Sequence, residues 1–305
     1  MEIWKPKYTR TELDKINDFL LQLAREISYR KIRMVYRGDK LENLFERLNI
    51  FYNPPTPNIE QVLEYLFMLG EKGRHFYSDS IAGYSGSTFE VDDVGKAQFA
   101  YIFDKIAAVS KSLKKHHRDF FRNNGSFSDY FQNKTNKPIF LAAIENLNTR
   151  IRLPIKNYYL SLLHQLAAVN YKKKSAFVST SEDKNIAKQF ANHSGLKPGV
   201  LLHVWTPSPI SILKYFKGSG LPMYKQAPFK KQEEISFFAG ILPHYIIGLE
   251  VIGKAMFYNP AIINNDITFL TFVEGFQIDQ TNFESYRKKS SYKSSFLTDG
   301  IDYIQ

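Results

Sequence analysis

Three short segments of the sequence carry residue types suited to one kind of chemistry. They are Tyr36-Arg37-Gly38, Ser179-Thr180-Ser181 and Gln232-Glu233-Glu234. A guanidinium is a forked donor that suits a phosphate, and a carboxylate stabilises positive charge that develops on a sugar ring. Each segment alone is a weak signal, because such short runs recur by chance. Their joint presence, each at the edge of a predicted strand, is a much stronger one.

Local sequence patterns place each segment beside an element of secondary structure. Alternation over 31–37 predicts a half-buried strand that ends at Gly38-Asp39, preceded by a helix over 11–29 with Thr11 as its N-cap. Further helices are predicted over 40–48, 59–67 (with Asn58 as its N-cap), 93–121, 156–169 and 183–192, and further strands over 176–179, 200–205, 232–238, 246–252 and 267–273. Segments 71–92 and 217–231 are predicted loops, and 122–137 is polar. Because helices dominate the first half and strands the second, we expect an α+β fold.

In these three segments the chain resembles the mono-ADP-ribosyltransferases of the Arg–Ser–Glu type. Members of that family show a YRG strand, an F-x-S-T-S…A-x-x-F strand–helix pair and a Q/E-x-E strand start, in that order. The matching residues here are Tyr36-Arg37-Gly38, Phe177–Ser181 with Ala187 and Phe190, and Gln232–Glu234. The resemblance implies the ADP-ribosyltransferase fold, in which two packed, mainly antiparallel sheets form an NAD cleft. It also implies NAD as the co-substrate, nicotinamide as the leaving group and no metal.

The resemblance implies a single ADP-ribosyltransferase domain over 1–285, followed by a basic C-terminal tail over 286–305. The interval between Arg37 and Ser179 is much longer than is typical of the family. We therefore expect N-terminal helices and a helical insertion at about 50–155.

The long interval leaves Arg150 and Arg152 as rivals for the family's arginine, since both lie nearer to Ser179 in the sequence. We prefer Arg37 because it has the predicted strand, the preceding tyrosine and the following glycine.

The resemblance assigns roles to the central residues of the three segments. Glu234 corresponds to the catalytic carboxylate, which stabilises the oxocarbenium-like ribose and holds its 2′-hydroxyl. Arg37 corresponds to the arginine that contacts the NAD phosphate and ribose. Gly38 would let backbone groups approach the nicotinamide amide, and Ser179 would orient Glu234 and the ribose.

Further roles follow from the same resemblance for the flanking residues. Thr180 and Ser181 would pin the end of their strand. Phe190 lies where many family toxins carry an aromatic ring against the nicotinamide, and its alternative is a core residue of a helix. His193 lies where those toxins often carry a phosphate-binding arginine, and its alternative is a surface histidine. Glu233 points to the opposite face of the strand from its neighbours, which favours a solvent-facing position.

The nature of the acceptor depends on Gln232. On a strand, residues two apart share a face, so Gln232 and Glu234 are expected to face the same site. In the family, a glutamate at this position accompanies arginine modification, whereas a glutamine accompanies asparagine or guanine modification. A neutral amide is both a donor and an acceptor, which suits another amide or a base edge. Arginine is therefore disfavoured, and asparagine and a nucleobase stay open.

Charge favours the nucleobase. The chain has a formal net charge of +11, and its basic residues cluster at 111–122, 171–174, 225–231 and 286–293. Aromatic residues accompany each cluster, and this combination suits single-stranded nucleic acid. In the predicted loop before Gln232 the candidate acceptor-binding residues are Tyr224, Phe229, Lys230 and Lys231. The alternative for each cluster is a solvated face, and NAD itself would account for a little of the charge.

Composition excludes several classes of protein and site. The absence of cysteine excludes disulfides, thiolate metal sites and a cysteine nucleophile, and the seven histidines form no metal-ligand pair. The first ten residues contain no apolar stretch typical of a secretory signal, so we expect a cytoplasmic protein.

We therefore expect a toxin that modifies RNA, or else DNA. It resembles the mRNA-modifying transferases of anti-phage toxin–antitoxin modules, which implies a neutralising antitoxin partner. No window of the sequence approaches the roughly 20 apolar residues needed to span a bilayer, so we expect no membrane partner. The alternatives are a transferase that modifies Asn or Gln of a protein, an inert RNA-binding protein on the same scaffold and an NAD glycohydrolase.

Overall fold

The computed structural model describes the elements on which the candidate site residues lie. The described residues are 5–29, 32–49, 58–71, 81–84, 87–89, 94–166, 177–191, 198–207, 213–229, 234–238, 240–241 and 243–264. They form a mixed α/β structure that contains one six-stranded antiparallel sheet, in agreement with the predicted α+β class. Over these residues, no helix combines the length and the apolar character needed to cross a membrane.

The strands of the described residues form two sheets. Their bounds are β1 (Ile32–Lys40), β2 (Ile81–Tyr84), β3 (Ser87–Phe89), β4 (Phe177–Ser181), β5 (Gly199–Pro207), β6 (Glu234–Phe238), β7 (Ile246–Val251) and β8 (Ala255–Tyr258). β2 and β3 pair with each other, and the other six strands belong to the larger sheet. In that sheet, β4, β1, β5, β7 and β8 follow one another in this order, each antiparallel to its neighbour.

Helices precede, separate and follow the strands along the described chain. They are α1 (Arg10–Ser28), α2 (Leu41–Asn49), α3 (Ile59–Leu69), α4 (Lys96–Val109), α5 (Lys115–Asn123), α6 (Gly125–Gln132), α7 (Asn136–Glu145), α8 (Thr149–Leu166), α9 (Lys184–Ala191), α10 (Leu213–Phe216) and α11 (Pro260–Ile263). A short 3-10 turn, Pro243–Tyr245, precedes β7.

The described residues divide into two compact units. The first takes residues from Met1–Ser78, Val178–Ser208 and Ala239–Ile301, and the second takes residues from Asp79–Phe177 and Pro209–Phe238. Arg37 and Ser179 therefore belong to the first unit, whereas Glu234 and Tyr224 belong to the second.

The first unit is built around β1, whose side chains alternate between two faces. Tyr36 and Gly38 face α9. Arg37 points the other way, towards Leu44 of α2 and Leu66 of α3. The nine-residue pairing of β1 with β5 holds this alternation in register along the whole strand.

The second unit has an aromatic core packed around α8. This helix is buried from Pro154 to Leu166. The ring centroid of Phe131 lies 5.1 Å from that of Phe103, 5.6 Å from that of Phe140 and 5.8 Å from that of Tyr159. Tilted and edge-to-face rings at these distances fill the space between α4, α6, α7 and α8.

Capping chemistry sets where the early helices begin. The prediction of Asn58 as the N-cap of α3 is confirmed, and Gln61 completes the capping box. The prediction of Thr11 as the N-cap of α1 is wrong, because the cap is Thr9. Glu12 lies three residues after Thr9, and its carboxylate accepts a hydrogen bond from the Thr9 backbone at 2.6 Å.

Tertiary pairing lengthens the first strand beyond its local pattern. β1 does not end at Gly38-Asp39 but continues to Lys40, because β5 supplies a partner for each of these residues. The backbone groups of Gly38, Asp39 and Lys40 are therefore paired with β5, although local propensity alone predicts that the strand ends at the glycine.

Other predicted boundaries also differ from the structure. The predicted helix over 93–121 is two helices, α4 and α5, and the Ser110 hydroxyl donates to the Ala107 carbonyl at 2.9 Å where α4 ends. The polar segment 122–137 contains α6, and the predicted loop 71–92 contains β2 and β3. β8 and α11 were not predicted, and the predicted strand over 267–273 lies outside the described residues.

The close packing of α9 on β1 predicts that Gly38→Ala destabilises the first unit. A Cβ at Gly38 would lie 1.7 Å from the Ala187 carbonyl oxygen, so the backbone of α9 would have to move. We expect the free energy of unfolding in urea to fall by about 3 kcal/mol, at the upper end of overpacking costs.

Gly125→Ala is the matched control, because a Cβ at Gly125 meets nothing within 4 Å. Its free energy of unfolding should stay the same or rise by up to about 1 kcal/mol. Equal effects of the two substitutions would contradict the packing of α9 described here.

Candidate active site

Arg37 is held by three contacts within the first unit. Its Nη1 donates to the Ser179 carbonyl oxygen at 3.0 Å, its Nε donates to Glu71 Oε1 at 3.3 Å, and its Nη2 lies 3.5 Å from Asp39 Oδ2. The side chain of Arg37 is 17% exposed. The arginine and the serine segment, which the resemblance pairs, therefore meet directly, although they are 142 positions apart.

Glu71 is the buried partner of Arg37 that the sequence did not suggest. Its side chain is only 1% exposed. Gly70, with φ of 85°, turns the chain at the end of α3, and Glu71 then exchanges two backbone hydrogen bonds of 2.9 Å with Ile241. These contacts fix the carboxylate against the guanidinium.

Asp39 is the second carboxylate beside Arg37, and it is itself fixed by neighbours. Its Oδ1 accepts hydrogen bonds from the Lys40 backbone at 2.8 Å and from Asn43 Nδ2 at 2.6 Å. Two residues apart on β1, Asp39 and Arg37 share a face of the strand. The guanidinium charge is thus balanced by two carboxylates.

The space in front of Arg37 is small and mostly apolar. A cavity of about 10 Å³ lies there, room for about one water molecule. Its walls are Arg37, Asp39, Leu44, Leu66, Glu71, Val200, Leu202 and Leu249. A phosphate would therefore have to reach the guanidinium from its solvent-exposed side or after a shift of α2 and α3.

Hydrogen bonds in the turn between β4 and α9 fix the position of Ser179-Thr180-Ser181. Thr180 and Ser181 are both buried. The Ser181 hydroxyl accepts from the Asp183 backbone at 3.1 Å, and the Asp183 carboxylate accepts from the Asn185 backbone at 2.7 Å. The end of β4 is thereby tied to the start of α9.

Gly38 packs against the buried side of α9, whereas Phe190 on the same helix is exposed. Gly38 allows the close approach of the helix at Ala187. Phe190 is 55% exposed, so the alternative that it is a core residue is wrong. His193, Gln232, Lys230 and Lys231 lie outside the described residues.

Glu234 lies in the second unit, at the first position of β6. Ser236, two residues further and fully buried, donates its hydroxyl hydrogen to Glu234 Oε1 at 2.8 Å. Burial raises the pKa of Tyr224, and the nearby Glu234 charge raises it further. Ser236 was not predicted as a site residue, although its spacing from Glu234 on one strand face would have revealed it.

Tyr224 and Phe229 differ in their surroundings. The Tyr224 ring stacks on Tyr158 at 4.7 Å and 13°, so one of its faces is already covered. The Phe229 ring lies 6.2 Å from that of His116 and is partly exposed.

The two rival arginines both lie on α8 and on no strand. Arg152 donates to the backbone carbonyls of Leu147 and Glu145, each at 2.8 Å, while Arg150 is exposed. These positions favour Arg37, on β1, as the counterpart of the family's arginine.

A second polar cluster in the first unit was not suggested by the sequence. His203 Nε2 lies 2.7 Å from Glu250 Oε2, and Lys184 Nζ lies 2.8 Å from the same oxygen. The Tyr36 ring meets His203 edge-on at 5.1 Å. Burial lowers the pKa of His203, so the neutral ring is favoured.

The pKa of Glu250 is also lowered: burial raises it, and the hydrogen bonds from Lys184 and His203 more than reverse that effect. The cluster therefore holds a carboxylate between an ammonium and a neutral imidazole. Within the described part of the chain, no group of three His, Asp or Glu side chains is placed to hold a metal ion.

Comparison with known proteins adds no relative. No protein-family model matches the chain, and neither a curated protein nor a solved structure does.

The contacts of Arg37 predict that Glu71→Ala is strongly destabilising. It would remove the buried carboxylate and leave a largely buried guanidinium with less compensation. We expect the free energy of unfolding in urea to fall by about 3 kcal/mol, as for other broken buried ion pairs.

Glu145→Ala is the control, because it breaks an exposed ion pair with Lys96, whose atoms lie 2.9 Å apart. Its cost should stay below about 1 kcal/mol. If Glu71→Ala were no more costly than this control, the pairing of Glu71 with Arg37 would carry no stability.

Proposed function

We propose that this chain is an NAD-dependent ADP-ribosyltransferase toxin of the Arg–Ser–Glu type, with the corresponding fold. It transfers ADP-ribose from NAD to a nucleobase of RNA and releases nicotinamide. The observation that carries the proposal is the 3.0 Å hydrogen bond from Arg37 to the Ser179 carbonyl. Two motif segments that are remote in the sequence are neighbours in space, as the resemblance requires.

Arg37 is suited to hold a phosphate of NAD. A guanidinium has five N–H groups, and within the described residues three of them are engaged by Ser179, Glu71 and Asp39. Two remain for phosphate oxygens. The carboxylates of Glu71 and Asp39 keep the largely buried guanidinium in place before NAD arrives, at some cost in phosphate affinity.

Glu234 is proposed as the residue that stabilises the transition state. The bond between ribose C1′ and the nicotinamide ring nitrogen breaks, and its electron pair leaves with neutral nicotinamide. Positive charge then develops on the ribose, where a carboxylate is stabilising. A nitrogen of the acceptor base bonds to C1′ and loses its proton to solvent. The hydrogen bond from Ser236 holds the Glu234 carboxylate in one orientation.

Phe190, exposed on α9, is proposed as the ring that lies against nicotinamide. Ser179 would orient the ribose, and the backbone at Gly38 would approach the nicotinamide amide. His193 would stand near a phosphate, in place of the arginine of other family toxins.

The acceptor is proposed to be RNA rather than DNA, because bases of single-stranded RNA are accessible without flipping. Gln232, Phe229, Lys230 and Lys231 would contact it. Such a toxin would act in the cytoplasm and need a neutralising antitoxin protein. The alternative acceptor is an Asn or Gln side chain of a protein, which the neutral Gln232 would also suit.

The proposal predicts NAD-dependent labelling of RNA by the wild type and its loss in Glu234→Gln. The protein is incubated with NAD labelled in its adenylate part and a cell extract, and the products are treated with protease or nuclease. Glu234→Gln removes the negative charge opposite the developing cation and should lower transfer by at least about 100-fold. Glu145→Gln, an exposed carboxylate of the same unit, should leave transfer unchanged.

The treatments separate the candidate functions. Label that survives protease and disappears with nuclease supports RNA or DNA as the acceptor, and ribonuclease then identifies RNA. Label lost with protease would instead support modification of a protein. Free ADP-ribose alone would indicate a glycohydrolase, and NAD left intact by the wild type would exclude an enzyme of this class.

A further inference from the structure

Asn124 joins the end of α5 to the segment 222–229 of the second unit, although Asn124 and Lys225 are 101 positions apart in the sequence. This side chain is only 4% exposed. Its Oδ1 accepts from the backbone N–H groups of Lys225 and Gln226, at 2.7 and 3.0 Å. Its Nδ2 donates to the carbonyls of Phe120 and Gln226, at 2.9 and 3.1 Å. Both donors and both acceptor positions of the Asn124 amide are used, so residues 225–226 are fixed at the end of α5.

The same segment is fixed to α8 as well. The Tyr224 backbone N–H donates to the Tyr158 hydroxyl at 2.9 Å, and the Tyr159 hydroxyl donates to the Pro222 carbonyl at 2.8 Å. Three successive backbone N–H groups, from Tyr224 to Gln226, are therefore bound by side chains of the helical core. The backbone at 224–226, shortly before β6, is therefore fixed in position.

A second contact lies at the other end of α5, where the His116 and Phe229 rings meet at 6.2 Å. His116 and Asn124 are separated by about 12 Å along a helix that rises about 1.5 Å per residue. The four residue steps from Lys225 to Phe229 could span at most about 13 Å, and the bends at 225–226 and the turn at 228–229 shorten this distance. Contacts near both ends of the helix, with Asn124 and with His116, therefore indicate that 225–229 lies against α5.

Exposed cations lie just before α5, along its solvent-facing side and at the start of this segment. The exposed cations are Lys111, Lys114, Lys115, Arg118, Arg122 and Lys225. Asp119 is the only acidic residue between positions 111 and 124, and it pairs with Lys115 at 3.3 Å and Arg122 at 3.1 Å. Although both residues pair with Asp119, the side chains of Lys115 and Arg122 are 87% and 76% exposed.

We propose that α5 and residues 225–229 form one RNA track, a surface that binds the acceptor as single-stranded RNA. The cations would meet phosphates, and the Phe229 ring beside His116 would stack on an unpaired base. The inference rests on the proposed function for the reaction that follows, but the binding itself needs no NAD. RNA is favoured over an acidic protein because an aromatic ring that could stack on a base lies beside His116, the neighbour of Lys115 in the sequence.

The test measures the binding of a fluorescently labelled, unstructured single-stranded RNA to the full chain without NAD, by anisotropy over a series of salt concentrations. The track variant combines K115Q, R118Q and R122Q. Its Kd should rise at least tenfold at low salt, and the slope of log K against log salt should fall by roughly two, at about 0.7 per phosphate contact.

The control variant combines K96Q, K134Q and R150Q, which removes the same charge from exposed positions elsewhere in the second unit. Its Kd should change less than threefold. A third variant, Phe229→Leu, keeps an apolar side chain but not the ring, and its Kd should rise about tenfold, as for the loss of one stacked base.

Several results would overturn the proposal. They are no RNA binding by the wild type, equal losses in the track and control variants, or competition by a polyglutamate peptide as effective as that by unlabelled RNA. The transferase reaction is scored separately. Intact RNA binding without NAD chemistry would refute the proposed function alone, and NAD-dependent transfer with unchanged binding in the track variant would refute this inference alone.

Discussion

The enclosed charge of Arg37 is the constraint around which the first unit is arranged. A guanidinium that is 17% exposed needs partners, and three stretches of chain supply them: β1 with Asp39, β4 with the Ser179 carbonyl, and the end of α3 with Glu71. Glu71 is in turn bridged to Ile241, close to the start of β7. The opposite face of β1 is equally constrained, because only a glycine at position 38 allows α9 to lie against the strand.

In the second unit, the buried side chain of Asn124 likewise holds distant parts of the chain together, through hydrogen bonds between uncharged groups. Its four hydrogen bonds, together with the tyrosine hydroxyls of α8, hold the segment that precedes β6. A segment rich in Gly, Pro and Lys would have little reason to adopt one path by itself, since it has no periodic apolar pattern. Its path is set by side chains more than 60 positions earlier in the chain, and the same contacts hold Lys225 at the end of α5.

Features with a local cause were predictable from the sequence. Asn58 was recognisable as an N-cap, and the strand and helix that carry Ser179 and Ala187 were both predicted, with boundaries that differ by a few residues. Features that depend on distant partners were not. Glu71 was assigned to a loop, because nothing in its surroundings indicates that it meets Arg37, 34 residues earlier. β1 extends past Gly38 only because β5 pairs with it, and the roles proposed for Glu234 and Gln232 stay predictions.

The most direct test of the account is the binding of NAD to the wild type and to Arg37→Lys by titration calorimetry, with Arg33→Lys as the control on the same face of β1. Arg33 pairs with Glu182 at 2.8 Å, away from the Arg37 contacts. Lysine keeps the charge but not the fork, so we expect NAD affinity to fall at least about tenfold in Arg37→Lys, as for the loss of one charge-assisted hydrogen bond. Arg33→Lys should bind like the wild type. Absence of NAD binding by the folded wild type, or equal affinities of the wild type and Arg37→Lys, would contradict the assignment of Arg37 as the phosphate-binding arginine.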